Sequence, residues 1–283
     1  MKNLIIVLCL ILCGEAYAAM SDLSYMPDTG KYLFKLGDGY QKTQTLVDRK
    51  ALDDAKTNFL FASVETSFLP NFSVAVSENV FTKDQDFFTN KDVNGFADPT
   101  LAVKYRAYNS DAFYSDVAFT FSPKFGDHKV AIKKSDDSNE LRGAYDFNLG
   151  ISLGKRINAT ELQGTIGADL TTKRFYAFGN KNLTIDPTTF EYITLLARHH
   201  FTNSVYGNLG FHYNLSQDWT LNTVNEDKIQ WDKVYSFVIG AGYNFLKDFT
   251  VEANINLGKE DYTAQAKIEK SYTEGVLSLA YQF

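Results

Sequence analysis

Long stretches of the chain alternate between apolar and polar residues with a period of two. In residues 145–154, Tyr, Phe, Leu, Ile and Leu occupy one face, and Asp, Asn, Gly, Ser and Gly occupy the other. Similar runs cover residues 205–214, 235–245 and 251–258. Because successive side chains of a strand point to opposite faces, this pattern predicts β-strands with one face in an apolar environment. The runs lack the period of about 3.6 residues that an α-helix requires.

Short turn signals interleave with longer polar stretches along the chain. Turn-forming residues cluster at 69–71, 109–111, 158–159, 202–204 and 247–248. Longer polar stretches lie at 42–54, 82–94, 123–142, 178–187, 216–230 and 259–268. Five short turns and six longer loops predict about twelve antiparallel strands, with both chain termini on the short-turn side.

The expected architecture is an all-β, antiparallel transmembrane barrel over residues 31–283, with short periplasmic turns and longer extracellular loops. Secreted β-sandwiches are the soluble alternative, but their strands average about five or six residues, whereas these runs reach ten or more. With 23 Phe and 17 Tyr against 2 Trp and 5 Pro, the composition suits long strands with aromatic belts. In lipid, only a closed barrel pairs every backbone group of such strands.

The N-terminal residues have the features of an export signal. Lys2 precedes an apolar run at 4–12, and the small-x-small pattern of residues 16–18 predicts cleavage after Ala18. Both cysteines lie inside this segment, so the mature chain is expected to form no disulfide bond. Residues 19–30 would then form a short N-terminal periplasmic segment.

The C-terminal strand gives a first resemblance. Residues 271–283 alternate face by face and end with Tyr281 and Phe283. This ending resembles the last strand of outer-membrane barrels from Gram-negative bacteria, which typically finish on Phe with Tyr two positions earlier. The resemblance implies recognition by the barrel assembly machinery, localisation in the bacterial outer membrane, and contact with outer-membrane lipid and lipopolysaccharide.

A second resemblance covers about a dozen residues in the middle of the chain. The segment from residue 95 to residue 106 is similar to the Gly-Asp-x-x-Leu-x-x-Lys-Tyr-Arg strand of the outer-membrane family named for the meta-pathway of phenol degradation. The residues that carry the similarity are Gly95, Asp98, Lys104, Tyr105 and Arg106. That family is related to transporters of long-chain fatty acids and aromatic hydrocarbons. The resemblance implies a role in passing small solutes, including apolar or aromatic compounds, across the outer membrane. The same segment also has a structural interpretation, since a Pro after Asp98 suits the start of a strand.

Charged residues within the strands predict which face lines the lumen. A charge facing lipid costs about 2 to 4 kcal/mol near the bilayer midplane, so these residues are expected to point inward. The candidates for lumen lining and selectivity are Lys104, Arg106, Asp116, Asp146, Glu161, Asp169, Glu252 and Glu274.

Reflecting the chain through the turn at Ser110 puts Lys104 opposite Asp116, which predicts a cross-strand ion pair. The same construction brings Asp146 near Asp169, an arrangement that would attract a cation. We therefore expect an acidic lumen wall with a small basic patch, which favours cations or neutral polar solutes over anions.

Other function classes find little support in the sequence. A net charge of -6 without a basic block provides no footprint for nucleic acid. Adjacent His199 and His200 would face opposite sides of a strand, so they cannot bind one metal ion together. His212 is expected to point inward, but no Ser or carboxylate can be paired with it from sequence. No catalytic residue, metal site or cofactor is predicted.

Two functions therefore remain, a channel or transporter for small solutes and a structural or surface-presenting, adhesion-like barrel without transport activity. No predicted loop exceeds about 20 residues, so a large adhesive head is not expected. A polar, Gly-containing inner face favours transport.

Overall fold

The structure is a computed structural model that describes residues 26–85, 92–130, 139, 141–178, 181–215, 217–222, 227–246, 248–263 and 267–283. The predicted signal peptide lies outside these residues, and its cleavage stays a prediction. Within the described ranges, no helix is long and apolar enough to cross a membrane.

Strands account for most of the described residues. In chain order they are β1 (Tyr32–Val47), β2 (Lys50–Leu69), β3 (Phe72–Gln85), β4 (Asp92–Phe96), β5 (Thr100–Asn109), β6 (Phe113–Ser122), β7 (His128–Val130), β8 (Asp146–Ile157), β9 (Thr160–Thr171), β10 (Arg174–Phe178), β11 (Lys181–Ile185), β12 (Thr188–His200), β13 (Val205–Asn214), β14 (Gln217–Asn222), β15 (Asp227–Leu246), β16 (Phe249–Thr263) and β17 (Lys267–Gln282). Five short strands lie at the end of the barrel opposite the short turns, namely β4, β7, β10, β11 and β14. The other twelve form the wall itself.

The wall closes on itself. Each long strand pairs antiparallel with the next along the chain, and β17 pairs with β1 from Leu33 opposite Gln282 to Val47 opposite Ile268. At the seam, the Tyr32 N–H donates to the Phe283 carbonyl at 3.0 Å, and the Phe283 N–H donates to the Tyr32 carbonyl at 2.9 Å. Closure pairs both edges of the sheet, which a lipid environment requires. The predicted twelve-stranded antiparallel barrel is confirmed.

The short turns join the strands where the sequence predicted them, and the opposite end of the barrel differs. There the strands continue through much of the polar stretches, so that β1 and β2 meet in a two-residue turn at Asp48 and Arg49. Both turn residues have positive φ, 47° and 64°, as a type I′ hairpin turn requires. Neither turn residue is a glycine, and residues 42–54 were predicted as a loop. Polar residues on both faces suit a ladder that extends beyond the membrane into water.

The outer face is apolar. Leu153, Ile166 and Leu209 are 67%, 62% and 59% exposed in the isolated chain, as expected for side chains that contact lipid. At the rim formed by the short turns, aromatic rings stack, with 5.6 Å between the ring centroids of Tyr32 and Phe283. Such a belt matches the interface between lipid and water. Because the short turns and the seam between Tyr32 and Phe283 lie at this rim, we assign it to the periplasmic interface.

The inner face carries glycines that lie directly opposite aromatic residues. A Cβ atom added to Gly154 would lie 1.8 Å from the Tyr114 ring, and one added to Gly242 would lie 2.0 Å from the Tyr206 ring. The other pairs of this kind are Gly258 with Tyr272, Gly167 with Tyr192, Gly37 with Phe61 and Gly39 with Phe59. Each ring lies flat over a position without a side chain, so it follows the wall instead of crossing the lumen.

Candidate channel lumen

The eight charged residues predicted to line the lumen all occupy inward positions of the ladder. Asp116 and Glu252 are only 3% and 7% exposed, while outward positions on the same strands carry apolar side chains. The positions are Lys104 and Arg106 on β5, Asp116 on β6, Asp146 on β8, Glu161 and Asp169 on β9, Glu252 on β16 and Glu274 on β17. Their placement follows from the alternation of the strands, and their role in selectivity stays a prediction.

The ion pair predicted between Lys104 and Asp116 is wrong. Asp116 lies opposite Arg106, whose Nε donates to Oδ1 at 2.8 Å and whose Nη2 donates to Oδ2 at 3.2 Å. Lys104 lies opposite Ala118, and its Nζ is 4.0 Å from Glu65 Oε1. The turn is centred beyond Ser110, and a bulge follows Arg106, so the true register differs from a simple reflection.

Tyr114 forms the centre of a cluster at the periplasmic end of the lumen. The guanidinium carbons of Arg106 and Arg156 lie 5.3 and 4.9 Å from its ring centroid. Its hydroxyl donates to Gln163 Oε1 at 3.2 Å. With Gly154 beneath the ring, this cluster fixes the tyrosine against the wall and places two cations on it.

A second cluster surrounds Glu252 on the far side of the lumen. The Tyr206 hydroxyl donates to Glu252 Oε2 at 2.7 Å, and Arg198 Nη2 lies 3.7 Å from the same oxygen. Arg198 also donates from Nε to Asn208 Oδ1 at 2.9 Å. Glu161 connects the two clusters, because Arg156 and Arg198 lie opposite it on the strands to either side.

The lumen is more evenly charged than the sequence predicted. Basic side chains that the sequence analysis did not place inward also occupy inward positions, namely Lys35, Arg156, Arg198 and Lys270. The orientation of Arg198 was not predicted because the residues before it are apolar on both faces. The orientation of Lys270 was not predicted because it follows a segment that was predicted as a loop. The expected acidic wall with a small basic patch is therefore replaced, in its periplasmic half, by paired charges.

Higher in the lumen, Asp169 is part of a chain of hydrogen bonds. The Tyr192 hydroxyl donates to Asn148 Oδ1 at 3.1 Å, and Asn148 Nδ2 in turn donates to Asp169 Oδ1. Asp146 lies diagonally from Asp169, as the sequence analysis expected, because Asp169 faces Asn148 and Asp146 faces Thr171. Asp146 itself lies 3.5 Å from Arg142 Nε.

The histidines take the orientations that their positions predicted. His199 points outward and its Nδ1 shares a hydrogen bond with Thr160 Oγ1 at 2.8 Å, while His200 points inward. His212 also points inward, with Nδ1 2.9 Å from Thr194 Oγ1 and Nε2 2.6 Å from Asn214 Oδ1. Among the described residues, no group of three or more His, Cys, Asp or Glu side chains could hold a metal ion.

Within the family motif, Asp98 has a structural contact that sequence did not predict. It is 3% exposed, and its carboxylate accepts the backbone N–H of Arg142 at 2.6 Å and that of Phe125 at 3.4 Å. Both donors belong to the segment between β6 and β8, so Asp98 anchors that segment over the ends of these strands. Gly95 lies at the end of β4, and Tyr105 points outward and is 49% exposed.

Comparisons with known proteins find likeness in structure alone. No protein-family model and no curated relative matches the sequence. The COG4313 outer membrane channel from Pseudomonas putida F1 superposes with a TM-score of 0.70 at 10% identity, covering 95% of this chain and 100% of that one.

Two further solved structures are similar at lower scores. The translocator domain of the autotransporter NalP from Neisseria meningitidis has a TM-score of 0.53 at 9% identity, with 100% of this chain and 94% of that chain covered. The NanC porin has a TM-score of 0.50 at 6% identity, with 86% and 98% covered. At 6 to 10% sequence identity, these structures show a shared fold and nothing finer. The resemblance to the family named for the meta-pathway of phenol degradation therefore stays a prediction. The chain folds as a bacterial outer-membrane β-barrel.

Proposed function

We propose that this protein is an outer-membrane channel that passes small solutes, including small apolar or aromatic compounds. The observation that carries the proposal is the set of glycines facing aromatic rings on the inner wall. A glycine beneath each ring lets the ring lie along the wall, whereas a larger residue there would push the ring toward the barrel axis. The rings therefore follow the wall and do not cross the axis.

The character of the lining supports this choice of solutes. Paired charges occupy the periplasmic end, whereas aromatic and aliphatic side chains such as Phe59, Phe61, Phe190, Tyr192 and Val238 point inward higher up. Such a wall can contact the apolar part of a solute and still offer hydrogen bonds to its polar part. The runner-up is a structural or surface-presenting barrel without transport, for which the described residues offer no comparable feature.

We also propose partners for this protein, and we propose that it catalyses no reaction. The apolar outer face suits outer-membrane lipid and lipopolysaccharide, and Tyr281 and Phe283 at the seam are candidates for recognition by the barrel assembly machinery. We propose no enzymatic activity, because inward carboxylates such as Asp116, Glu252 and Glu260 are held in ion pairs along the wall.

Swelling of proteoliposomes in isosmotic solutes tests the channel directly. Wild-type protein refolded into vesicles should admit small neutral solutes, so that the vesicles swell and light scattering falls. The Gly167→Val variant should swell more slowly, because an added Cβ would lie 2.4 Å from the Tyr192 ring and displace it into the lumen.

The matched control is Gly164→Val on the same strand. Gly164 faces outward, and its nearest contact for an added Cβ is 3.6 Å away, at Leu195. This variant should swell like the wild type. Vesicles that contain folded wild-type barrels and do not swell would refute the proposal in favour of the structural role.

A further inference from the structure

Glu274 differs from the other inward carboxylates in its partners. The described inward ion pairs include Arg106–Asp116 at 2.8 Å, Arg198–Glu252 at 3.7 Å and Lys270–Glu260 at 3.8 Å. Glu274 instead lies opposite Gln41 on β1 and Asn256 on β16, which are both neutral amides. Its charge is therefore not balanced by the residues directly across either ladder.

The inward positions diagonal to Glu274 are also uncharged. They are Gly39 and Thr43 on β1, Asn254 and Gly258 on β16, and Tyr272 and Val276 on β17 itself. The six adjacent inward positions on β1, β16 and β17 are thus neutral. A carboxylate in such a setting attracts cations from the lumen, because no base lies at these positions to compete for it.

Two asparagines beside Glu274 have polar atoms without partners. Asn256 is 4% exposed and lies beside the Glu274 carboxyl, and its Oδ1 has no hydrogen-bond donor. Asn254 Nδ2 donates to Glu252 Oε1 at 2.6 Å, which leaves Asn254 Oδ1 without a donor. A buried oxygen without a donor is destabilising, so these two amide oxygens are suited to a ligand that supplies donors.

Aromatic rings border the same place. The Phe59 ring lies over Gly39, where an added Cβ would be 2.2 Å from the ring. The Tyr272 ring lies over Gly258, with a corresponding distance of 2.0 Å. Both glycines are diagonal neighbours of Glu274, one on each adjacent strand. The carboxylate therefore lies between two rings that can contact an apolar group or a cation.

We propose that Glu274, Asn254 and Asn256 bind the primary ammonium group of small amphipathic amines in transit, while Phe59 and Tyr272 contact the apolar body of the amine. The inference rests on the proposed channel function and narrows its substrate class. A primary ammonium group carries one positive charge and three N–H donors, which match one carboxylate and two amide oxygens.

The test compares two organic cations in planar bilayers that contain the refolded protein. Reversal potentials are measured in gradients of benzylammonium chloride and of benzyltrimethylammonium chloride at neutral pH. Both cations have the same ring and charge, but only benzylammonium has N–H donors. Wild type should prefer benzylammonium by about tenfold, as expected for hydrogen bonds to a charged group worth about 1.5 kcal/mol or more.

Variants separate the site from the general charge of the lumen. Glu274→Gln should bring the permeability ratio of the two cations close to one, and Asn256→Leu should lower it while keeping the carboxylate. Glu65→Gln is the matched control, because it removes an inward carboxylate from β2 that lies opposite Leu33, away from the site, and should leave the ratio unchanged.

The outcomes distinguish the two proposals. Folded wild-type protein without any conductance would refute the channel itself. Conductance with equal ratios in wild type and Glu274→Gln would overturn only the ammonium site. Equal losses in Glu274→Gln and Glu65→Gln would also overturn it, because lumen charge alone would then explain the preference.

Discussion

The pair between Arg106 and Asp116 gives the sharpest test of the barrel register. It is a two-pronged contact, with N–O distances of 2.8 and 3.2 Å, and its side chains are only 11% and 4% exposed. Replacing Arg106 with Met leaves the Asp116 carboxylate buried without its guanidinium. Breaking a buried pair from one side typically costs about 3 to 5 kcal/mol, and we expect a loss of this size.

Lys104 provides the matched comparison two positions along the same strand. Its Nζ is 4.0 Å from Glu65, and the two side chains are 21% and 14% exposed. A long, partly solvated contact of this kind contributes about 1 kcal/mol or less, so Lys104→Met should be much milder than Arg106→Met. Arg106→Lys should fall between them, since lysine keeps the charge and loses the fork geometry.

The assay is equilibrium unfolding in urea with the protein inserted in lipid vesicles, followed by intrinsic fluorescence. The expected order of lost stability is Arg106→Met, then Arg106→Lys, then Lys104→Met. If Lys104→Met costs as much as Arg106→Met, the register of β5 against β6 is wrong. In that case Lys104 would pair with Asp116, as the reflection through the turn at Ser110 predicted.

Three further changes have defined outcomes. Asp98→Ala removes the acceptor for two backbone N–H groups, so we expect a loss of about 1 to 3 kcal/mol and faster proteolysis between β6 and β8; unchanged proteolysis would contradict the anchoring role. Asp38→Leu replaces an exposed outward carboxylate that lies between Leu60 and Leu277, so the free energy of unfolding in lipid should rise by up to about 2 kcal/mol; a loss would mean that Asp38 has a partner in the membrane. Deleting Phe283 removes both backbone hydrogen bonds to Tyr32 and should slow refolding into vesicles, and an unchanged rate would argue against seam closure as a slow step.

Strand number and orientation could be predicted from the sequence because both depend on local features. Turn residues such as those at Asn158 and at 202–204 mark the periplasmic ends, and the period of two separates the faces without any knowledge of pairing. The closed barrel follows from these facts together with the lipid environment. The inward placement of Asp116, Glu252 and Glu274 could be predicted from the period of two alone.

Pairing between strands could not be predicted with the same reliability. A bulge after Arg106 and a turn centred beyond Ser110 shift the partner of Asp116 by two residues, and neither has a distinctive sequence signal. The pairing of an aromatic ring with a glycine depends on the exact cross-strand register. These pairs therefore could not be predicted from the sequence. The hairpin at Asp48 and Arg49 was missed because it lacks the glycine that usually marks a type I′ turn.

Single-channel recording in a planar lipid bilayer tests the central claim most directly. Refolded mature protein should produce discrete conductance steps, because the glycines beneath Tyr114, Tyr192 and Tyr206 let those rings lie along the wall and not across the lumen. Silence from barrels that are demonstrably folded and inserted would contradict the claim, since it would mean that the lumen is closed to ions and that the barrel serves a structural role.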